Sequence, residues 1–189
     1  SARCAALLAI ELCLRFDARK EALPESVGAL LVAYCELALS ADAESPAVGN
    51  VLLRTRTPGN NHSLMSAGAA VGATMVVRLL ASVQQTRDAA AGTRHLDALL
   101  HAPVAVPGDA ERDGASALHL AAIARHVPHR LQTGGQLIVS GADPHVPNGA
   151  RQAAFDLVAP GARERLLRVA RTQFKGWFAF ISHYKAEAQ

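Results

Sequence analysis

Residues 113–122 read Asp-Gly-Ala-Ser-Ala-Leu-His-Leu-Ala-Ala, and residues 141–143 read Gly-Ala-Asp. The Asp-Gly pair favours a tight turn, and Ser116 can cap the helix that follows it. His119 can bridge neighbouring turns through its two ring nitrogens. The two closing alanines are small enough for a second helix to pack closely on the first. Gly141 follows an apolar stretch, as a glycine that ends a helix does, so the two stretches predict a packed helix pair.

The composition of the 189-residue chain favours the same architecture. Hydrophobic residues make up 50% of the chain and aromatic residues only 4%, and alanine is the commonest residue. Alanine has the highest helix propensity, which suits closely packed helices. A net charge of +3 is too mild to indicate nucleic-acid binding by itself. No stretch reaches the roughly 18–20 apolar residues of a membrane span, so we expect an all-α fold without one.

The two quoted stretches resemble the first-helix opening and the hairpin turn of an ankyrin repeat. The opening phrase of that family is Asp-Gly-x-Thr-Pro-Leu-His-x-Ala-Ala. This chain departs from it at Ser116 and Ala117. The resemblance implies a short, irregular ankyrin-like helical solenoid, which is a binding surface rather than a catalyst.

Two weaker units of the same kind flank this one. Their opening phrases begin at Ser63 and Ala153, 53 positions before and 37 positions after Ser116. One ankyrin step is about 33 residues, so the longer spacing implies an insertion, and an extra helix is expected there over 93–101. The expected helix pairs are 63–70 with 74–86, 116–126 with 130–140, and 153–159 with 162–171.

Two apolar helices are expected before the repeats, over residues 2–19 and from Glu25 to about Ala41. They form a predicted antiparallel pair. The first is apolar around most of its circumference, which indicates that it lies inside either a helix bundle or an interface. A turn-rich stretch at 54–61 marks a boundary. We therefore expect an N-terminal helical region at 1–57, ankyrin-like repeats at 58–172 and a C-terminal aromatic helix or tail at 173–189.

The three cysteines lie in the first two helices, at Cys4, Cys13 and Cys35. Their odd number and apolar surroundings predict free, buried and reduced thiols of an intracellular protein. The sequence does not distinguish cytoplasm, nucleus and organelle interior.

Motifs for catalysis, cofactors and metals are missing from the sequence. It contains no Gly-x-Ser-x-Gly elbow, His-Glu-x-x-His helix or phosphate loop, and the glycine pair at 134–135 predicts only a turn. His119, His126 and His129 make a poor zinc site, because no cysteine lies nearby and Pro128 keeps the last two off one helical face. We therefore expect no enzyme activity, no cofactor and no metal.

The turn around Thr57 has one further candidate feature. Arg54 and Arg56 precede Thr57 and Pro58, so a phosphate attached to this threonine would meet two arginines. An ordinary turn with proline after threonine is the simpler interpretation, and we favour it.

Basic residues recur at hairpin tips and on the inner-helix face, positions that line the concave side of an ankyrin stack. The resemblance implies that they contact a protein partner with an acidic surface. Solvated loop charges are an equally weighted alternative. The residues are Arg112, Arg125, His126, Arg130, His145 and Arg151.

The C-terminal segment concentrates aromatic residues on two helical stripes. One stripe predicts a helix that caps the last repeat, and the surplus predicts a partner site. Contact with a membrane surface is disfavoured, because few basic residues flank the aromatics. The residues of the two stripes are Phe174, Trp177, Phe178 and Ile181, then Phe180 and Tyr184.

These expectations converge on a non-catalytic protein–protein interaction module. The first hypothesis is an ankyrin-type adaptor, scaffold or regulator that binds its partner through the concave face. The second is a structural accessory subunit embedded permanently in a large multi-protein assembly. A free adaptor is expected to be monodisperse alone, whereas an embedded subunit is expected to aggregate until its neighbours are supplied.

Overall fold

The computed structural model describes residues 2–40 and 51–173, and its regular elements there are helices. An isolated antiparallel bridge between Pro147 and Ala153 is the only strand-like pairing within these ranges. The expected all-α class is therefore confirmed for the described chain. The labelled helices are α1 (Ala2–Arg19), α2 (Glu25–Ser40), α3 (Leu64–Ala70), α4 (Thr74–Ala91), α5 (His95–His101), α6 (Ala117–Ile123), α7 (Arg130–Val139) and α8 (Pro160–Gln173). Residues 51–54 are helical as well.

The short helices α3 and α6 begin with the same reciprocal cap. At α6, the Ser116 amide donates to His119 Nδ1 at 3.2 Å, and the Ser116 side chain accepts from the backbone of His119. At α3, the Ser63 amide donates to Ser66 Oγ at 2.9 Å, and the Ser66 amide donates to Ser63 Oγ at 3.1 Å. These bonds satisfy donors that the first turn of a helix leaves open. The cap predicted at Ser116 is confirmed.

The helices pack in two rows. In the first row α3 lies between α1 and α6, and in the second row α4 contacts α2 and α7, while α7 contacts α8. The rows are joined by the packing of α3 on α4 and of α6 on α7. One hydrophobic core extends from Ala6 to Ala170 and so crosses the boundary expected at residue 57.

Two of the three predicted helix pairs are present. α3 with α4 and α6 with α7 match the expected ranges apart from their ends, and α5 matches the inserted helix. Gly72 lies in the turn between α3 and α4, and Gly141 follows α7, with φ of 72° and 106°. The residues expected to be buried in the central pair are buried: Leu118, Leu120, Ala121 and Leu137.

The third predicted pair is wrong in its first half. Residues 153–158 form turns, and only α8 follows them as a helix. The Asp156 amide donates to the Ala153 carbonyl at 2.9 Å, and the Ala153 amide donates to Asp156 Oδ2 at 3.0 Å, which closes a turn. Pro160 disfavours helical backbone at the residue before it and suits a first helical position. The helix therefore starts at Pro160 instead of 162.

The first two helices differ from their prediction. α1 packs mainly on α3 and α2 mainly on α4, so the two are not chiefly paired with each other. Ile10 of α1 is fully buried, whereas Leu8 is 70% exposed. Leu30 and Leu37 of α2 are also exposed, at 67% and 71%. Within the described chain, α1 is therefore covered only on the face turned toward the following helices.

The cysteine prediction holds for two of the three residues. Cys13 and Cys35 are free and buried, whereas Cys4 is exposed near the start of α1. Burial raises the pKa of both buried thiols to about 12, so they stay protonated at neutral pH and serve the core. Within the described ranges, no helix has both the length and the apolar character that crossing a membrane requires.

Candidate partner-binding surface

The three segments that precede the opening phrases are closed by the same backbone hydrogen bond. In each segment, a backbone amide at or next to the first residue donates to the carbonyl of the residue just before the opening phrase. The bonds run from Thr57 to His62 at 2.9 Å, from Val104 to Ala115 at 3.0 Å and from Asn148 to Gln152 at 2.9 Å. We call the segments 57–62, 103–115 and 147–152 the loop row.

A residue with left-handed backbone recurs in each segment of the loop row, two positions before the opening phrase. The residues are Asn61, Gly114 and Arg151, with φ of 56°, 70° and 61°. They are separated by the same 53 and 37 positions as the opening phrases. Positive φ is uncommon outside glycine. Its recurrence in register therefore indicates one local geometry used three times.

Neighbouring segments of the loop row are bonded to each other. The Ala105 amide donates to the Asn60 carbonyl at 2.8 Å, and the Gly149 amide donates to the Asp113 carbonyl at 2.9 Å. These bonds join the three segments into one continuous row, which lies at the N-terminal ends of α3 and α6.

His119 connects α6 to this row. Its ring is fully buried, with Nδ1 2.8 Å from Ser116 Oγ and Nε2 3.0 Å from the Gln152 carbonyl oxygen. Because the carbonyl can only accept, Nε2 is the donor and Nδ1 the acceptor. The predicted bridging role is confirmed, and both nitrogens are occupied within the chain. Across residues 2–40 and 51–173, no group of three or more His, Cys, Asp or Glu side chains is arranged to hold a metal ion.

A second set of connections lies at the other end of α6. The turns 71–73 and 124–129 touch, because a Cβ placed on Gly72 would overlap the side chain of Val127. We call these two turns the turn row. α6 has 7 residues. At a rise of about 1.5 Å per residue, the two rows lie about 10 Å apart along its axis.

The six basic residues predicted for partner contact fall into two groups. Arg112, His145 and Arg151 lie in or beside the loop row, and Arg125, His126 and Arg130 lie in or beside the turn row. The two groups therefore lie at opposite ends of α6.

Three of these residues are unpaired cations. Arg125 and Arg151 are exposed and Arg130 is half-buried. Within the described chain, none of the three forms an ion pair. By contrast, Arg163 and Arg168 lie 3.8 Å and 3.7 Å from acidic side chains. Arg125, Arg130 and Arg151 are therefore free to meet an external acidic group.

Arg112 is engaged inside the protein instead. Its guanidinium donates twice to the carboxylate of Asp17, with Nη2 2.9 Å from Oδ1, and Asp17 has a side chain only 3% exposed. Hydrogen bonding to Asp17 raises the pKa of Arg112. The pair ties α1 to the loop row, so Arg112 has a structural role. Sequence reasoning missed Asp17, whose one signal is an acid on an otherwise apolar helix face.

His126 lies close to this ion pair. Burial lowers the pKa of its ring, Asp17 opposes that effect, and Lys20 and Arg112 add to it. Its Nε2 is buried and has no hydrogen-bond partner within the described residues. The ring of His126 is therefore neutral at neutral pH and adds no positive charge to the turn row.

His145 is exposed and meets the ring of Phe155 edge-on, with centroids 5.5 Å apart and planes at 77°. Its backbone amide donates to Asp143 Oδ1 at 2.8 Å, which holds the loop before α8. The aromatic residues predicted as partner contacts lie outside the described residues, as does the expected capping helix. They are Phe174, Trp177, Phe178, Phe180 and Tyr184.

Comparison with known proteins finds no match among family models, curated proteins or solved structures.

The stability of the fold is expected to fall as the pH drops below the ordinary histidine pKa of 6.5. Burial lowers the pKa of His62, His119 and His126 from that value. The unfolded chain then binds protons at a higher pH than the folded chain, so acidification favours unfolding until the folded pKa values are passed. Urea unfolding between about pH 8 and about pH 5 measures this dependence.

One variant sharpens this test. His126→Gln removes one of the three buried rings and is expected to flatten the pH dependence. A wild-type free energy of unfolding that stays constant across this range would contradict the prediction.

Proposed function

We propose that the chain is a non-catalytic protein–protein interaction module built as a short, irregular ankyrin-like solenoid. The opening phrase at 113–122 supports the family assignment. So do the left-handed residue and the loop-closing bond that recur in register, together with the stacking of helices in two rows. Stacks of helix pairs bind partners through extended surfaces formed by successive repeats.

The partner proposal rests mainly on one observation: Arg125, Arg130 and Arg151 form no ion pair within the described chain. Charge complementarity mainly increases the encounter rate and the specificity of a complex. We infer that an acidic protein surface lies across the turn row and the loop row, which are separated by a distance that one partner can span.

Two buried polar groups with a lowered pKa outside this surface, His119 and Asp88, have structural roles, which supports a protein without catalysis. His119 belongs to the cap of α6. Asp88 accepts hydrogen bonds from Thr93 Oγ1 at 2.7 Å, from the Leu96 amide at 2.7 Å and from Gln84 Nε2 at 2.9 Å. It thereby anchors the start of α5. The buried thiols of Cys13 and Cys35 support an intracellular setting, which remains part of the proposal.

A different observation favours the second candidate, an embedded structural subunit. Four large apolar side chains on α1, α2 and the start of α4 are exposed to solvent, with exposed fractions between 58% and 71%. Such side chains can be covered by neighbouring subunits. Light scattering of the isolated chain separates the candidates, since an adaptor is monodisperse and an embedded subunit self-associates. The residues are Leu8, Leu30, Leu37 and Met75.

Affinity purification of the tagged chain from cells tests the adaptor proposal. A triple variant reverses the charge of Arg125, Arg130 and Arg151 to Glu. A control with the same change in net charge replaces the exposed residues Arg15, Arg78 and Arg165 by Glu. We expect a partner with an acidic surface that the control retains and the triple variant loses. Equal retention by both variants, or no enrichment over the tag alone, would contradict the proposal.

A further inference from the structure

A cavity of about 150 Å³ lies between residues 53–56, α4 and α5. A single water needs roughly 10–15 Å³ on this measure, and drug-sized ligands occupy roughly 300–1,000 Å³. The cavity therefore has room for a small group and is too small to enclose a drug-sized ligand. Its polar lining consists of Arg54, Arg56, Gln84 and His95.

Arg56 is held in position before any ligand arrives. Its Nη1 donates to the carbonyl of Leu53 at 2.9 Å and to that of Thr55 at 3.1 Å. A guanidinium has five N–H donors, of which Nη1 supplies two, so three remain for a ligand. A side chain that is already fixed loses little conformational freedom on binding.

The charge of Arg56 is half-buried and uncompensated. Within the described chain, neither Arg56 nor Arg54 forms an ion pair. Burial accordingly lowers the pKa of Arg56. The buried acid near the cavity, Asp88, accepts hydrogen bonds from Gln84, Thr93 and the Leu96 amide and forms no ion pair with either arginine. Because a buried charge without a counter-charge is costly, this cavity favours an anion.

The anion does not come from Thr57. Its side chain is buried, and its Oγ1 accepts a hydrogen bond from the His62 amide at 2.9 Å. The phosphothreonine considered from the sequence is therefore excluded by the fold, while the two arginines that suggested it do line a cavity.

We propose that this cavity binds a phosphate group, either as inorganic phosphate or as a phosphate monoester. At neutral pH such a group carries a charge of about −1.5 to −2, which matches the guanidiniums of Arg54 and Arg56. A carboxylate would neutralise only one of them. Arginine also presents the planar donor pairs that phosphate oxygens accept. The site shares no residue with the surface formed by Arg125, Arg130 and Arg151.

Isothermal titration of the full chain with sodium phosphate, in buffer matched for pH and ionic strength with chloride, tests the proposal. We expect saturable binding at one site. Arg54→Gln and Arg56→Lys are expected to weaken it about tenfold or more, since each loses charge-assisted or paired hydrogen bonds. Arg165→Gln, an exposed and distant arginine, is the matched control and is expected to retain wild-type affinity. Because Arg54 is exposed, Arg54→Gln is expected to fold, and it still tests the proposal if Arg56→Lys does not fold.

Titrations with O-phosphoserine and with acetate distinguish a phosphate monoester, free phosphate and a carboxylate. Tighter binding of O-phosphoserine than of phosphate supports a monoester, and weaker binding supports free phosphate. Acetate that binds as tightly as phosphate would overturn the proposal, as would the absence of a saturable signal. Equal weakening in Arg54→Gln and Arg165→Gln would also overturn it, because the effect would then be one of net charge.

Discussion

Replacing Arg112 with glutamine is expected to destabilise the fold by about 3–5 kcal/mol. The change leaves the carboxylate of Asp17 buried, at 3% side-chain exposure, without its bidentate partner. Removing one partner of a buried pair is costly because the remaining charge can reach neither water nor a counter-ion. The same change also releases the contact between α1 and the loop row. Urea unfolding of the wild type and the variant measures the difference.

The pair formed by Arg168 and Glu164 provides the control. Both side chains are largely exposed, at 72% and 80%, and lie 3.7 Å apart. Arg168→Gln is therefore expected to cost no more than about 0.5 kcal/mol. If Arg112→Gln had an equally small effect, Asp17 would have to be solvated, and the described attachment of α1 would be wrong.

Replacing Gly114 with alanine is expected to cost about 2–5 kcal/mol. The left-handed backbone at φ +70° accounts for about 1–2 kcal/mol of this in any residue with a Cβ. In addition, the new Cβ would lie 2.5 Å from the backbone nitrogen of Gly149, which cannot rotate away. Overpacking of this kind adds about 1–3 kcal/mol. The affected contact is the one that joins two segments of the loop row.

A variant at Gly59 separates the backbone cost from the cost of the steric overlap. Its φ is +83°, but a Cβ there would meet nothing within 4 Å. Gly59→Ala should therefore show only the backbone cost, about 1–2 kcal/mol. Equal losses in the two alanine variants would mean that the segments at 113 and 149 are further apart than described.

Local signals in the sequence predicted the central helix pair well. Ser116 and His119 determine the start of α6 through bonds that span only three residues, and Gly141 determines the end of α7. The insertion helix α5 followed from the spacing between opening phrases. Such features are predictable because the physics that fixes them acts within one or two turns of chain.

Features that depend on distant partners were missed. Asp17 and Arg112 are 95 positions apart, so no periodic pattern connects them. The glycine pair at 134–135 was expected to form a turn but lies inside α7, where a Cβ on Gly135 would come within 2.7 Å of Val169 Cγ1. Its small size permits the close packing of α7 on α8. A glycine required by a neighbouring helix looks the same in sequence as a glycine required by a turn.

The pairing of the candidate residues could be predicted only in part. Within the described chain Arg125, Arg130 and Arg151 form no ion pair, whereas Arg112 is bound to Asp17 and the ring of His126 is neutral. Sequence position indicated which residues lie in connections between helices. It did not indicate which of their charges are compensated, because compensation depends on tertiary neighbours.

Hydrogen–deuterium exchange of the chain, alone and with its captured partner, tests the central claim most directly. If the chain binds an acidic partner across the turn row and the loop row, amides at 124–130 and 145–152 become protected while α2 is unchanged. Protection confined to α1 and α2, around the exposed Leu8, Leu30 and Leu37, would contradict that claim and favour an embedded structural subunit.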